Sequence, residues 1–183
     1  SIEERDQMEV EYLTGTGPDG AGVLCYPKQL SSDKKHGVVI WGPGGGSKPE
    51  DYGMIIHRIA SHGFVVIGIS SSPGDASKAV AALNWLNEKN NAGDGPLAGK
   101  LDMNTVGCSG HSMGGLECEQ VIIKDQRVKT SILNNSGDLG HTAMGSVGID
   151  RTIAIVYGNN GMERPNAEAD YGNQNVKAPA CLI

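Results

Sequence analysis

Aromatic side chains are scarce: Phe, Trp and Tyr together supply 4% of the 183 residues, and there is a single Phe. That excludes an aromatic-cored sandwich and leaves no platform on which nucleic-acid bases could stack. Basic charge is also in deficit. Fifteen Lys and Arg against 21 Asp and Glu give a net charge of −6, with no cationic stripe, so nucleic acid is excluded as a partner. No apolar run approaches the roughly 20 residues of a membrane span. Ser1 does not open a positively charged, apolar leader, so a leader has been removed or the sequence starts internally. Cys25, Cys108, Cys118 and Cys181 show neither a Cys-x-x-Cys pair nor metal-like spacing with the five histidines. No metal site is expected, and disulfides are permitted without being required. Cys108 is expected to be a buried small hydrophobe. No histidine follows His141.

Glycine, at 27 residues, is what the chain has in abundance, and between glycine-rich turns it alternates strand and helix patterns. Residues 21–26 read as an early edge strand, and 36–41 (HGVVIW) as a strand buried on both faces, which implies a parallel sheet. Residues 49–62 read as a helix with Met54, Ile55 and Ile59 on its apolar side and Gly63 as its C-cap glycine. A strand over 64–69 follows. Asp75 or Ser77 then caps a helix to about Lys89, with Val80, Leu83 and Leu86 inward. Further strands are expected at 105–108, 130–133 and 152–157 and from Ala180 onward, with a helix over 113–124. No repeat or linker divides residues 1–183. The expected fold class is α/β, one domain built on a doubly wound, mostly parallel sheet.

The chemistry concentrates in TVGCSGHSMGG, from Thr105 to Gly115, where an apolar strand stops at Gly110 and Ser112 stands between Gly110 and Gly114. A serine on a sharp strand-to-helix turn needs minimal residues two places before and after it, because neighbouring backbone passes close to both. The turn lifts the Ser112 hydroxyl out of the sheet. It also aims the Met113 N–H, at the start of the next helix, toward a developing oxyanion. The second feature is Trp41-Gly42-Pro43-Gly44-Gly45-Gly46, directly after a buried strand, where bare backbone can approach a ligand and offer another N–H. A phosphate loop would require Gly-Lys followed by Ser or Thr; here Lys48 follows Ser47, and Pro49 interrupts.

On GAGVLCYP (20–27), the Pro43-Gly44 loop, IASHGFVVIGI (59–69) and GKLDMNTVGCSGHSMGG (99–115), the chain resembles the polyester hydrolase and cutinase branch of the α/β-hydrolases, a dienelactone-hydrolase-like group. These matches span most of the first two thirds of the sequence in the expected order. The resemblance implies a secreted serine esterase that cleaves small or polymeric carboxylic esters with a Ser-His-acid triad and no cofactor. By position it makes Ser112 the nucleophile and the N–H groups of Met113 and Gly45 the oxyanion hole.

Three departures accompany the resemblance. Gly45 stands where an aromatic residue usually clamps the acyl group, which weakens the case for aromatic polyesters. Asn160 stands about where the triad aspartate is expected, so the acid is assigned to Glu163, with Asp170 and Asp138 as alternatives. The triad order Ser, acid, His puts the base after the last strand, beyond every histidine of this sequence. His36, His57, His62 and His111 lie on or beside other elements, and His141 would require an unusual order. The expectation is therefore that the region after Ile183, a histidine loop and closing helix, lies outside the sequence, or that a second chain supplies the base. The alternative reading is a hydrolase-fold binding or regulatory protein with impaired catalysis.

Overall fold

A computed structural model describes residues 7–136 and 143–183. Its elements, in chain order, are β1 (Val10–Thr16), β2 (Gly22–Pro27), β3 (His36–Gly42), a 3-10 turn (Pro49–Tyr52), α1 (Gly53–Ser61), β4 (Val65–Gly68), α2 (Ser77–Asn91), β5 (Leu101–His111), α3 (Met113–Lys124), β6 (Val128–Asn134), a second 3-10 turn (Ala143–Ser146), β7 (Thr152–Val156), α4 (Arg164–Tyr171) and β8 (Ala180–Leu182). The strands form one sheet in the order β1-β2-β4-β3-β5-β6-β7-β8. β1 and β2 are antiparallel, as are β2 and β4; every later pairing is parallel. The fold class is thus α/β with a mostly parallel sheet, as the alternating pattern implies.

Side-chain alternation explains why β2 is buried at all six positions. Leu24 and Tyr26 enter the larger core with Ile40, Ile67, Leu83, Leu86, Val121 and Ile122. Val23 and Cys25 enter a smaller one with Trp41, Ile56, Ala60 and Val66. A strand covered on both faces has no solvent side to mark with polar residues.

Several sequence expectations need correction. The segment at 21–26 is not an edge strand: β1 pairs outside it, and β1's half-exposed VEYLTGT lacks an apolar run that would announce it. The helix expected over 49–62 is a 3-10 turn followed by α1, whose inward residues are Ile56 and Ala60 with Ile59 half-buried against the same core, whereas Ile55 and Met54 are exposed, Met54 to 91%. Gly63 does end it, at φ 98°, with its N–H on the Ala60 carbonyl. On α2, Leu83 and Leu86 are buried and Val80 is half-buried. The strand at 105–108 extends over the whole of β5, and α4 has no counterpart in the sequence reading because its only buried residues are Ala167 and Asp170. Cys108 is not a free hydrophobe. It forms a disulfide with Cys118 of α3, their α-carbons 5.3 Å apart.

Candidate active site

The turn between β5 and α3 is built around glycine. A Cβ at Gly110 would lie 2.4 Å from the carbonyl carbon and oxygen of Gly114, and one at Gly114 would lie 1.9 Å from the Gly42 oxygen. No side chain fits either place. Ser112 itself adopts φ 53°, ψ −116°, a conformation rare for a residue with a side chain and one that persists only where the surroundings enforce it. The enforcement is visible: the Ser112 N–H donates to the Asn134 carbonyl (3.0 Å), its carbonyl accepts from the Leu116 N–H (3.1 Å), and the Asn134 amide donates to Ser109 Oγ and the Gly110 carbonyl (both 3.0 Å). The last residue of β6 therefore braces the turn that β5 delivers. The opening N–H groups of α3 lie beyond the reach of intrahelical acceptors and carry the positive end of the helix dipole.

A cleft of about 170 Å3 opens beside Ser112, lined by Met113, Leu116, Asn135, Ser136, Glu163 and Asn166. Ser112, Met113 and Glu163 are thus brought together. Glu163 is half-buried at the N-terminal boundary of α4. Asn135, at φ 46°, accepts the Gly158 N–H at 2.8 Å and so ties the loop after β6 to the loop leading to Glu163. Asn160 is exposed, and Asp170 is fully buried on the last turn of α4 and does not line the cleft. Gly45 does not line the cleft, but a Cβ built on it would stand 3.3 Å from Met113 Cγ, which places its backbone alongside the start of α3. Asp138 and His141 lie outside the described residues.

The histidines divide by their partners. His36 Nδ1 donates to the Gly63 carbonyl (2.8 Å) while Nε2 accepts the Ser31 N–H (3.0 Å), a structural tie at the start of β3. His57 and His62 are exposed on and just after α1. His111 Nδ1 meets Tyr52 Oη at 2.8 Å, and the same oxygen accepts the Gly44 N–H at 3.0 Å. Tyr52 was invisible as a site residue in the sequence, since nothing in its spacing connects the turn before α1 with Gly44 or His111.

Glu117 is a second residue that spacing alone does not expose. It is fully buried one turn into α3, and its Oε1 accepts the N–H groups of Gly74 (2.9 Å), Asp75 (3.0 Å) and Ala76 (2.9 Å), while Oε2 accepts that of Ala79 (3.1 Å). Three of these N–H groups belong to the turn before α2 and one, that of Ala79, to its first turn; Asp75 accepts the Ser77 N–H at 2.9 Å. The clamp holds Gly74, at φ 81°, over the site, where a Cβ would press Met113 Cε at 2.9 Å and Leu116 Cδ2 at 3.1 Å.

A larger cavity of about 290 Å3 lies elsewhere, beneath the β1–β2 turn. It contains no candidate nucleophile other than Ser70 and Ser77, and at its rim Asp19 pairs with Ser70 and with Lys78 (2.8 Å). The Ser112 cleft is smaller, yet the Ser112 turn, the Glu163 carboxylate and the start of α3 converge there, which makes it the candidate site. Among the described residues, no group of three or more His, Cys, Asp or Glu is placed to hold a metal ion.

Residues 6–143, well over half of the chain, match the PETase family, described as PET hydrolase-like. The chain belongs to the PET hydrolase-like family. Its mostly parallel sheet is accordingly that of an α/β-hydrolase. Similar curated proteins include a bis(hydroxyethyl) terephthalate hydrolase of Streptomyces coelicolor, 31% identical over 102 residues, which are 52% of this chain and 31% of that protein. Cutinase 1 of Thermobifida cellulosilytica is 31% identical over 114 residues, 60% of this chain and 41% of the cutinase. A Thermobifida fusca cutinase is 31% identical over 114 residues, 60% of this chain and 36% of its own length. The matched region thus spans under half the length of these relatives.

Proposed function

We propose that the protein is a serine carboxylic ester hydrolase working through an acyl-enzyme on Ser112. The observation that carries this reading is the strained Ser112 backbone, held at φ 53° between two glycines at the N-terminus of α3. In the reaction, Ser112 Oγ forms a bond to the ester carbonyl carbon while a histidine base takes the hydroxyl proton. The carbonyl oxygen becomes an oxyanion held by the Met113 and Gly45 N–H groups. Collapse breaks the C–O bond to the alcohol, which leaves with the proton from the base. Water, deprotonated by the same base, then adds to the acyl-enzyme and releases the acid. Glu163, in the cleft with Ser112, is the carboxylate that orients the base and stabilises its charged form.

The names of the cutinase and terephthalate-ester relatives support a polyester or small-ester substrate. Gly45 offers no aromatic clamp for the acyl part, which weighs against aromatic polyesters. A chain with the Cys108–Cys118 disulfide suits an oxidising, extracellular setting. No helix among the described residues is long and apolar enough to cross a membrane. Asn160 favours a second reading, a hydrolase-fold binding or regulatory protein without an intact triad. A fluorophosphonate probe separates the two, because only an activated serine is phosphonylated. Labelling of the full-length protein that disappears in Ser112→Ala, together with loss of p-nitrophenyl ester hydrolysis, supports the hydrolase; an unlabelled wild type supports the binding protein.

A further inference from the structure

We propose that Tyr52 is a positioning residue for this site, tying the Gly44-Gly45 loop to the nucleophile elbow through His111; the proposal rests on the ester hydrolase reading. Tyr52 Oη sits where two strand ends meet. From one side it accepts the Gly44 N–H at 3.0 Å, one residue before Gly45; from the other it meets Nδ1 of His111, one residue before Ser112, at 2.8 Å. The phenol has one hydrogen. Its oxygen accepts the Gly44 N–H, and the bond to His111 Nδ1 forms with the proton on either partner, according to the imidazole tautomer.

Steric fit points the same way. A Cβ at Gly44 would come within 2.9 Å of Tyr52 Oη and 3.0 Å of His111 Nδ1, so the glycine is what allows the backbone to reach the pair. The Tyr52 ring is fixed in turn between Trp41 and His111, at centroid separations of 5.3 and 5.9 Å. Trp41 belongs to β3 and Tyr52 ends the 3-10 turn before α1, whereas His111 ends β5. Beyond the β3–β5 pairing that runs to Gly42 and Gly110 and the close approach of Gly114 to Gly42, Tyr52 adds a side-chain link between the loop carrying one proposed oxyanion donor and the turn carrying the other. An oxyanion hole works only if both donors stand at fixed positions before charge develops, so a tie between their two supports acts on the transition state more than on substrate binding.

The test removes the hydroxyl and keeps the ring. Tyr52→Phe in the full-length protein should lower kcat about 10- to 100-fold with KM within about twofold, and should slow fluorophosphonate labelling in parallel. Amide hydrogen exchange at Gly44 should accelerate in the same variant. His111→Ala should match the loss, His111→Asn, whose side-chain oxygen can stand near the Nδ1 position, should recover most of it, and Tyr52→Phe should cost little further in a His111→Ala background. Wild-type labelling with kcat and Gly44 exchange unchanged in Tyr52→Phe overturns the tie alone. Fully additive losses also overturn it. An unlabelled wild type overturns the hydrolase reading and, with it, the role given to Tyr52.

Discussion

Gly114 packs so closely on Gly42 that a Cβ built on its α-carbon would stand 1.9 Å from the Gly42 carbonyl oxygen and 2.8 Å from that of Pro43. The first turn of α3 therefore rests directly on the root of the glycine-rich loop, backbone against backbone. Because backbone cannot swing aside as a side chain can, Gly114→Ala and Gly110→Ala should each cost about 3 kcal/mol or more and disrupt the elbow. Gly107→Ala is the control, since in the same strand its Cβ would meet only the Thr130 carbonyl oxygen at an ordinary 3.6 Å. Thermal unfolding and fluorophosphonate labelling should separate the two classes; equal behaviour of all three variants would refute the close-approach argument.

Glu117→Ala should detach the Gly74–Ala79 segment. Four backbone N–H groups lose their acceptor, three of them in the turn that overlies Met113 and Leu116. Water can reach the outer part of that turn but not Ala76 or Ala79, which are buried. A loss of about 2–4 kcal/mol in denaturant unfolding is expected, with faster proteolysis near Gly74. Glu117→Gln should fall between, because one amide oxygen can serve only part of the set while its NH2 group faces the Ala79 donor.

How legible the molecule was follows from how local each determinant is. The Ser112 turn is a property of five consecutive residues, Gly110 to Gly114, so its glycine spacing alone announces it. The strand at 36–41 is equally plain, because burial on both faces writes a continuous apolar run. β1 and α4 are not, since each covers little core and carries mixed polarity. The Cys108–Cys118 bond becomes readable only once strand and helix fold back across the turn and bring positions ten apart within reach. Tyr52 and Glu117 act entirely through tertiary contacts, 59 residues from His111 and 41 from Ala76, and no local pattern encodes such pairings. The acid and base of the proposed triad are hard to read for the same reason: loops whose placement depends on the finished sheet would supply them.

The disulfide joins the two arms of the elbow, and its partners are 2% and 0% exposed. Closing a loop of this length restricts the unfolded chain by about 2–3 kcal/mol in the chain-entropy view. A Cys108→Ala/Cys118→Ala double variant should unfold correspondingly earlier than the oxidised wild type, and intact-mass measurement with and without reductant should show the two-hydrogen difference in the wild type alone. The single variants should be worse than the double in oxidising buffer, because each leaves an unpaired buried thiol open to mispairing with Cys25 or Cys181.

Asp19 gives a pH signature. Hydrogen bonds from Lys78 first, then Ser70, lower its carboxyl pKa from 3.8 to about 2. A depressed folded-state value means stabilisation that is present above about pH 4 and disappears as the pH falls through about 2. The side chains are partly exposed, 37% for Lys78 and 39% for Asp19, so solvent screening reduces the contribution to about 0.5–1 kcal/mol. Asp19→Asn should therefore lower Tm slightly at neutral pH, and the gap between variant and wild type should close in acid. A gap independent of pH would show that the pair does not titrate as a unit.

Arg151 ties the end of α3 to the start of β6. It is 2% exposed, and its Nη1 donates to the carbonyls of Ile122 (2.9 Å) and Val128 (2.6 Å), while Nη2 holds the side-chain oxygen of Gln126. One guanidinium thus closes the end of α3 and the turn into β6, the strand whose Asn134 braces Ser112. Methionine can fill much of the volume but donates nothing, so Arg151→Met should leave those buried carbonyls unpaired and cost about 2–4 kcal/mol. The damage should be to stability rather than to the elbow, because the hydrogen bonds that hold Ser112 come from the opposite end of β6. Well below its lowered Tm, the variant should still label with a fluorophosphonate at near the wild-type rate. If labelling falls in step with the loss of stability even in the folded protein, the brace on Ser112 depends on the far end of β6 as well as on Asn134.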